Sequence, residues 1–219
     1  MSKFKMSAIL SMAILLVMSY WSVDGQTPGL SVITQIRIEV YLAIQAERDR
    51  VKAVQDAEIA RLKSIQAAKI AKTKAIDAAK QEQCLAMNIY YEARSQSATG
   101  QWAIGLTTLK RVSMSNFPNS VCKVVYQRNW VKKLDRRIAQ FSWVDELGTC
   151  ETCRHIVPKD KKSWTAALNA AKRAKRMFGQ TSWKADHYHR YDMTTKWSSR
   201  MKKTMRIGDH VFFQSDWSK

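Results

Sequence analysis

From Gln35 to Gln83 the chain contains neither proline nor glycine, and Ala, Lys, Glu, Arg and Gln dominate. These residues lose least on entering a helix, and nothing in the run breaks one. The stretch is therefore expected to be a long helix. Its apolar residues recur eleven apart, from Val51 to Leu62, from Val54 to Ile65 to Ile76, and from Ile59 to Ile70. An eleven-residue repeat gives a nearly straight or slightly right-handed stalk, not a leucine-zipper seam. Alanine at many remaining positions makes the stripe shallow, so a solvated helix, a helical pair and a weak oligomer are all compatible with it. Only 7 Gly and 3 Pro in 219 residues argue against turn-rich β architecture for the rest.

Ahead of the stalk, Lys3 and Lys5 precede an apolar run from Met6 to Trp21. Residues 1–26 read as a secretory signal or an N-terminal signal anchor. The run is shorter than the ~20 residues a spanning helix needs, and Ser7, Ser11 and Ser19 weaken it. With either alternative the lysines stay in the cytoplasm and the remainder crosses the membrane. The expected location is periplasmic or extracellular, with the cytoplasmic membrane as a partner through the N-terminal segment. Residues 27–34, with Pro28-Gly29, read as a linker. The formal net charge is +19, and most of the excess lies from Cys84 onward. A basic domain attracts a polyanion, whether nucleic acid, an anionic membrane or a wall bearing carboxylates and phosphates. Charge does not choose among them.

The stretch from Cys84 to Val112 carries the chemistry. It reads as two short helices around the polar turn Ser95-Gln96-Ser97. Leu85 and Ile89 sit at i, i+4 on a buried face, and Trp102, Leu106 and Leu109 mark the apolar face of the second helix. Glu92 falls at the end of the first helix beside Tyr90 and Tyr91. Aromatic rings that partly desolvate a carboxyl raise its pKa, which suits a proton donor.

The blocks IYYEAR, GQWAIG, KRV, FPNSVCKVVYQ, QFSW, HYHRYDMTTKW and IGDHVFF follow one another from about Cys84 to Phe213. In that order they resemble the SleB-type cell wall hydrolases, the spore cortex-lytic enzyme family. The resemblance implies a mainly α (α+β), lysozyme-like lytic transglycosylase domain with a small β-sheet, here preceded by the helical stalk. The expected organisation is a signal or anchor over 1–26, a stalk or linker over 27–81 and a catalytic domain over 82–219. The implied activity is cleavage of peptidoglycan between N-acetylmuramic acid and N-acetylglucosamine, as in a phage endolysin acting in the host periplasm or a bacterial envelope enzyme. By the Y-x-E-A match the catalytic residue is Glu92. Tyr91, Gln140, Trp143, His187, Tyr188 and His189 fall in matched blocks and are expected to bind substrate; Tyr90 and Trp197 lie there too. No cofactor and no nucleic acid partner are expected. Two other classes stay open: a non-catalytic wall-binding or virion structural protein, and a basic nucleic-acid-binding protein.

Where relatives often carry a second Glu after Y-x-E-A, this chain has Gln96 and Ser97. That departure favours a mechanism with one acid, since hydrolysis usually needs two. Asp145, Glu146 and Asp186 are the candidate second acids, and Asp186 stands where many relatives have Thr. His187 and His189 share one face of a strand but lack a third ligand, so no metal is expected. Four cysteines in an exported chain favour two disulfides. Cys84–Cys122 is the expected first pair, because relatives often hold Cys at both places, and Cys150–Cys153 is the second. A zinc half-site and a redox C-x-x-C at Cys150 and Cys153 are the alternatives. The run RNWVKKLDRR (128–137) carries Trp130 among cations and suits a glycan or nucleic acid groove, or a solvated face anchored by one Trp. Ser163 is expected to cap a helix with Ala167, Leu168, Ala171, Ala174 and Phe178 on its buried face. Residues 185–191 and 210–214 alternate and are expected to pair.

Overall fold

A computed structural model of the protein describes residues 30–146 and 158–216. The chain divides into two units, one up to Ala71 and one from Lys72 onward. The Pro- and Gly-free run is helical throughout, within α1, Leu30–Ala93. Leu30–Thr34 are helical, so the linker reading of 27–34 fails for those residues, while 27–29 lie outside the described residues; nothing in Leu30–Thr34 opposes a helix. Its other end also differs from expectation. Cys84–Ala93 is the last stretch of α1 and not a separate short helix.

In the first unit the apolar stripe faces outward. Val51, Val54, Ile59, Leu62, Ile65 and Ile70 are all exposed. Arg50–Glu47 at 4.0 Å and Arg61–Glu58 at 3.5 Å are exposed i, i+3 pairs, worth a few tenths of a kcal/mol each.

The second unit is mainly helical with two small antiparallel sheets. After α1 come α2 (Ala98–Val112), α3 (Val121–Val125), the hairpin β1 (Arg128–Val131) and β2 (Arg136–Ala139), and α4 (Ser142–Glu146). Then follow α5 (Lys161–Met177), β3 (His187–Arg190), β4 (Lys202–Ile207) and β5 (His210–Gln214). The break between α1 and α2 is the expected polar turn, where Ser97 Oγ caps α2 by accepting from the Gly100 amide at 3.3 Å. Helix α5 is capped by Asp160 and not by Ser163. The Asp160 carboxylate accepts from the Lys162 amide, and the Ser163 hydroxyl donates to it as well. Its buried face is Ala167, Ala170, Ala171 and Ala174, while Leu168 and Phe178 are only partly covered. Small residues there let the helices approach. A Cβ on Gly105 would stand 2.9 Å from Ala174 Cβ and 3.1 Å from Ile89 Cδ1, so α1, α2 and α5 meet at that glycine.

Strands β3 and β5 pair as expected, with Tyr188 opposite Phe212, and β4 completes the order β3-β5-β4. Cys84 and Cys122 form a disulfide with 5.2 Å between Cα atoms, tying the end of α1 to α3. Cys150 and Cys153 lie outside the described residues, as does the segment 1–26. Among the described residues no helix is long and apolar enough to cross a membrane.

Candidate active site

The site is built on the last turns of α1. Leu85 and Ile89 are fully buried, which fixes the rotation of the helix and turns Asn88 and Glu92, four apart, onto a neighbouring stripe. Asn88 is buried and fully engaged. Its amide donates to Thr108 Oγ1 on α2 at 3.1 Å, and its oxygen accepts from Trp143 Nε1 at 3.2 Å. This cross-brace sets the distance between α1, α2 and α4 immediately below Glu92.

Glu92 is half-buried, and Tyr188 donates its phenol hydrogen to Glu92 Oε2 at 3.2 Å. Burial raises the Glu92 pKa to about 7. The Tyr188 hydrogen bond and the Arg111 charge pull it down, and Glu146 pushes it up. At neutral pH the group is thus divided between its acid and its carboxylate. Burial and the nearby Glu92 drive the Tyr188 phenol well above the ordinary tyrosine range, so it stays a donor.

Tyr91 lies stacked on Trp143, 4.7 Å between centroids and 17° between planes. Trp143 is 4 % exposed. Its indole therefore backs the Tyr91 ring, which is the more exposed of the two. Gln140 is partly exposed and accepts from Asn129 Nδ2 at 3.3 Å, which ties it to the β1–β2 hairpin.

On β3 the side chains alternate. Tyr188 turns inward to Glu92, against His210 and Phe212. His187 and His189 share the other face, with their rings 5.3 Å and 5.4 Å from Trp197. His189 Nδ1 lies 2.7 Å from the Arg190 carbonyl, so that nitrogen carries the hydrogen. Among the described residues no three His, Cys, Asp or Glu side chains gather as metal ligands.

The candidate second acids separate clearly. Asp145 is held by Arg128 at 2.8 Å and accepts from the Ala139 amide, so it locks the hairpin to α4. Asp186 is fully buried. Burial would raise its pKa, but hydrogen bonds from His187 and from the Ser215 amide and hydroxyl outweigh that and hold it low. Glu146, exposed at the end of α4, acts on Glu92 through its charge. Asn88 and Arg111 were not singled out in the sequence, and Gln96 was read only as part of the polar turn and as a replacement for a second Glu. Asn88 was visible as the polar residue one turn before Glu92. Arg111 lies in the matched KRV block, but its burial was not legible, since a cation in the last turn of a helix ordinarily faces solvent. Gln96 clamps the β4–β5 turn, donating to Asp209 Oδ2 at 2.8 Å and accepting from the Asp209 amide at 3.1 Å.

The model of a family described as Cell Wall Hydrolase matches residues 95–213. The match begins three residues after Glu92, so that residue rests on the Y-x-E-A block and its surroundings. Two solved structures are similar. One is the catalytic domain of the germination-specific lytic transglycosylase SleB from Bacillus anthracis, with 24% identity over 61% of this chain and 93% of that one, at a TM-score of 0.44. The other is the catalytic domain of the Bacillus cereus SleB protein, with 23% identity over 62% and 91%, at a TM-score of 0.41. No curated protein matches the chain.

Proposed function

The chain belongs to the cell wall hydrolase family, and from that premise we propose that it cuts peptidoglycan glycan strands between N-acetylmuramic acid and N-acetylglucosamine as a lytic transglycosylase. The observation that supports this reading best is the half-buried Glu92, with a pKa near 7 and one hydrogen bond from Tyr188. Protonated Glu92 donates to the glycosidic oxygen as the bond from muramic acid C1 breaks. The Glu92 carboxylate then takes the proton from the muramic acid C6 hydroxyl. That oxygen bonds to C1 and closes a 1,6-anhydro ring. One residue returns to its starting state, and no water is consumed.

Tyr188 keeps the carboxyl oriented through both transfers. Tyr91, Gln140, His187 and His189 are assigned to the substrate groove, with Trp143 behind Tyr91. The proposed organisation is a signal or anchor over 1–26, a stalk over 27–81 and the catalytic domain over 82–219, in a phage endolysin or an envelope enzyme acting outside the cytoplasm. Zymography on purified walls tests the assignment. Glu92→Gln preserves shape and removes the transferable proton, so clearing falls by at least ~100-fold, the scale for loss of a general acid. A fully active variant would refute the role of Glu92.

A further inference from the structure

Arg111 is placed where folding alone does not explain a cation. It lies in the last turn of α2, where a solvent-facing arginine already favours the helix end. Yet it is only 3 % exposed. Its Nε–H donates to the Asp186 carbonyl at 2.6 Å, and the guanidinium lies 5.4 Å from the Phe117 ring and 5.3 Å from the Phe141 ring. Nη1 has no hydrogen-bond partner among the described residues. A buried charge held by a carbonyl and two rings is a costly arrangement.

Helix geometry directs this head group toward Glu92. The contacts Asn88–Thr108 and Ile89–Gly105 progress in opposite chain directions, so α1 and α2 run antiparallel. Side chains lean toward the N-terminus of their own helix. Glu92 therefore leans back to the level of Asn88, and Arg111 leans back to the level of Thr108, from opposite ends. Strand β3 closes the third side. The Asp186 carbonyl fixes Arg111, and two residues later the Tyr188 hydroxyl reaches Glu92.

We propose that Arg111 is a positioning residue for the reaction, a fixed buried cation that steadies the Glu92 carboxylate between its two proton transfers. The proposal rests on the acid/base reading of Glu92. The groups facing Glu92 divide accordingly: Tyr188 from β3 and Arg111 from α2 favour the anion, whereas burial and Glu146 from α4 favour the acid. Burial works against the Arg111 charge, and the Asp186 and Glu92 carboxylates sustain it. The same clamp sets the start of β3, so charge and placement come from one side chain.

The pH dependence of peptidoglycan cleavage by the full chain tests this, with Arg111→Gln and Arg111→Lys beside the wild type. Activity requires protonated Glu92, so the wild-type rate falls as pH rises through about 7. In Arg111→Gln that alkaline limb moves upward by about one pH unit, the scale for one partly buried charge. Its kcat falls by ~10-fold or more, because the second transfer needs the anion, and KM changes little. Arg111→Lys keeps the charge, so its limb stays at the wild-type position and most of the rate returns. A loss of rate with an unmoved limb in Arg111→Gln would overturn the proposal. So would failure of both variants to fold by circular dichroism, which makes the charge a requirement of folding. A wild type that leaves peptidoglycan intact contradicts the reading of Glu92 beneath it, and an active wild type with the unmoved limb contradicts Arg111 alone.

Discussion

Glu92 is a carboxyl whose ionised form the fold opposes, and that opposition has a thermodynamic signature. In the unfolded chain it ionises near the ordinary glutamate value of 4.5, and in the folded protein near 7. Between these values the folded state holds more protons, so rising pH drains stability from it, and the penalty is complete above about pH 7. Glutamine cannot ionise. Glu92→Gln is therefore expected to be more stable than wild type at pH 8, by on the order of 2–3 kcal/mol, with the curves converging below pH ~4. Urea denaturation at the two pH values checks this, and a variant less stable at pH 8 would contradict the burial argument. At this scale the sequence was readable where chemistry and local spacing coincide. Glu92 stands out between tyrosines at a helix end, and Asn88 lies one turn before it. The partner hydroxyl of Tyr188 is 96 positions away, and only the fold joins the two. Trp143 was legible as an aromatic in a matched block, but its burial behind Tyr91 was not, because ring type does not reveal which face is covered.

Elements were legible in proportion to how far their stability is local. The helix over Gln35–Gln83 follows from composition alone, and β3 pairs with β5 as their alternation implies. The β1–β2 hairpin was missed because its strands, RNWV and RRIA, lack the polar–apolar alternation of a half-buried strand, and Asp135 makes its turn in the left-handed region at φ 48°. Strand β4 carries little apolar patterning of its own and depends on β5 for its register. The β4–β5 turn uses Gly208 at φ 57°, and Gln96 grips the next residue through both ends of its amide. That grip explains why glutamine suits the position. Gln96→Glu loses the donor and sets a carboxylate against Asp209, so it is expected to cost about 1–2 kcal/mol at pH 7. Chemical denaturation at pH 7 reads this directly, and an unchanged midpoint would show that the clamp carries no stability.

At the scale of the whole molecule, charge and architecture fit an enzyme that meets its substrate as a polyanionic surface. The +19 net charge lies mostly in the part of the chain that carries the site, which favours encounter with a wall bearing carboxylates and phosphates. The first unit adds a long helix with an exposed apolar stripe. The order of motifs was legible over the second unit because each block is short and chemically distinctive. The convergence of α1, α2, α4 and β3 on one carboxyl was not, since burial and hydrogen bonding between distant segments decide it. In the proposed mechanism a single carboxyl performs both proton transfers, with Asp145 and Asp186 committed to structural bonds. Mass spectrometry of the fragments released from purified peptidoglycan tests this. Glycan ends in 1,6-anhydromuramic acid are expected from the wild type and none from Glu92→Gln. Reducing muramic acid ends would contradict that mechanism, and would direct attention to Glu146 as a second acid that activates water.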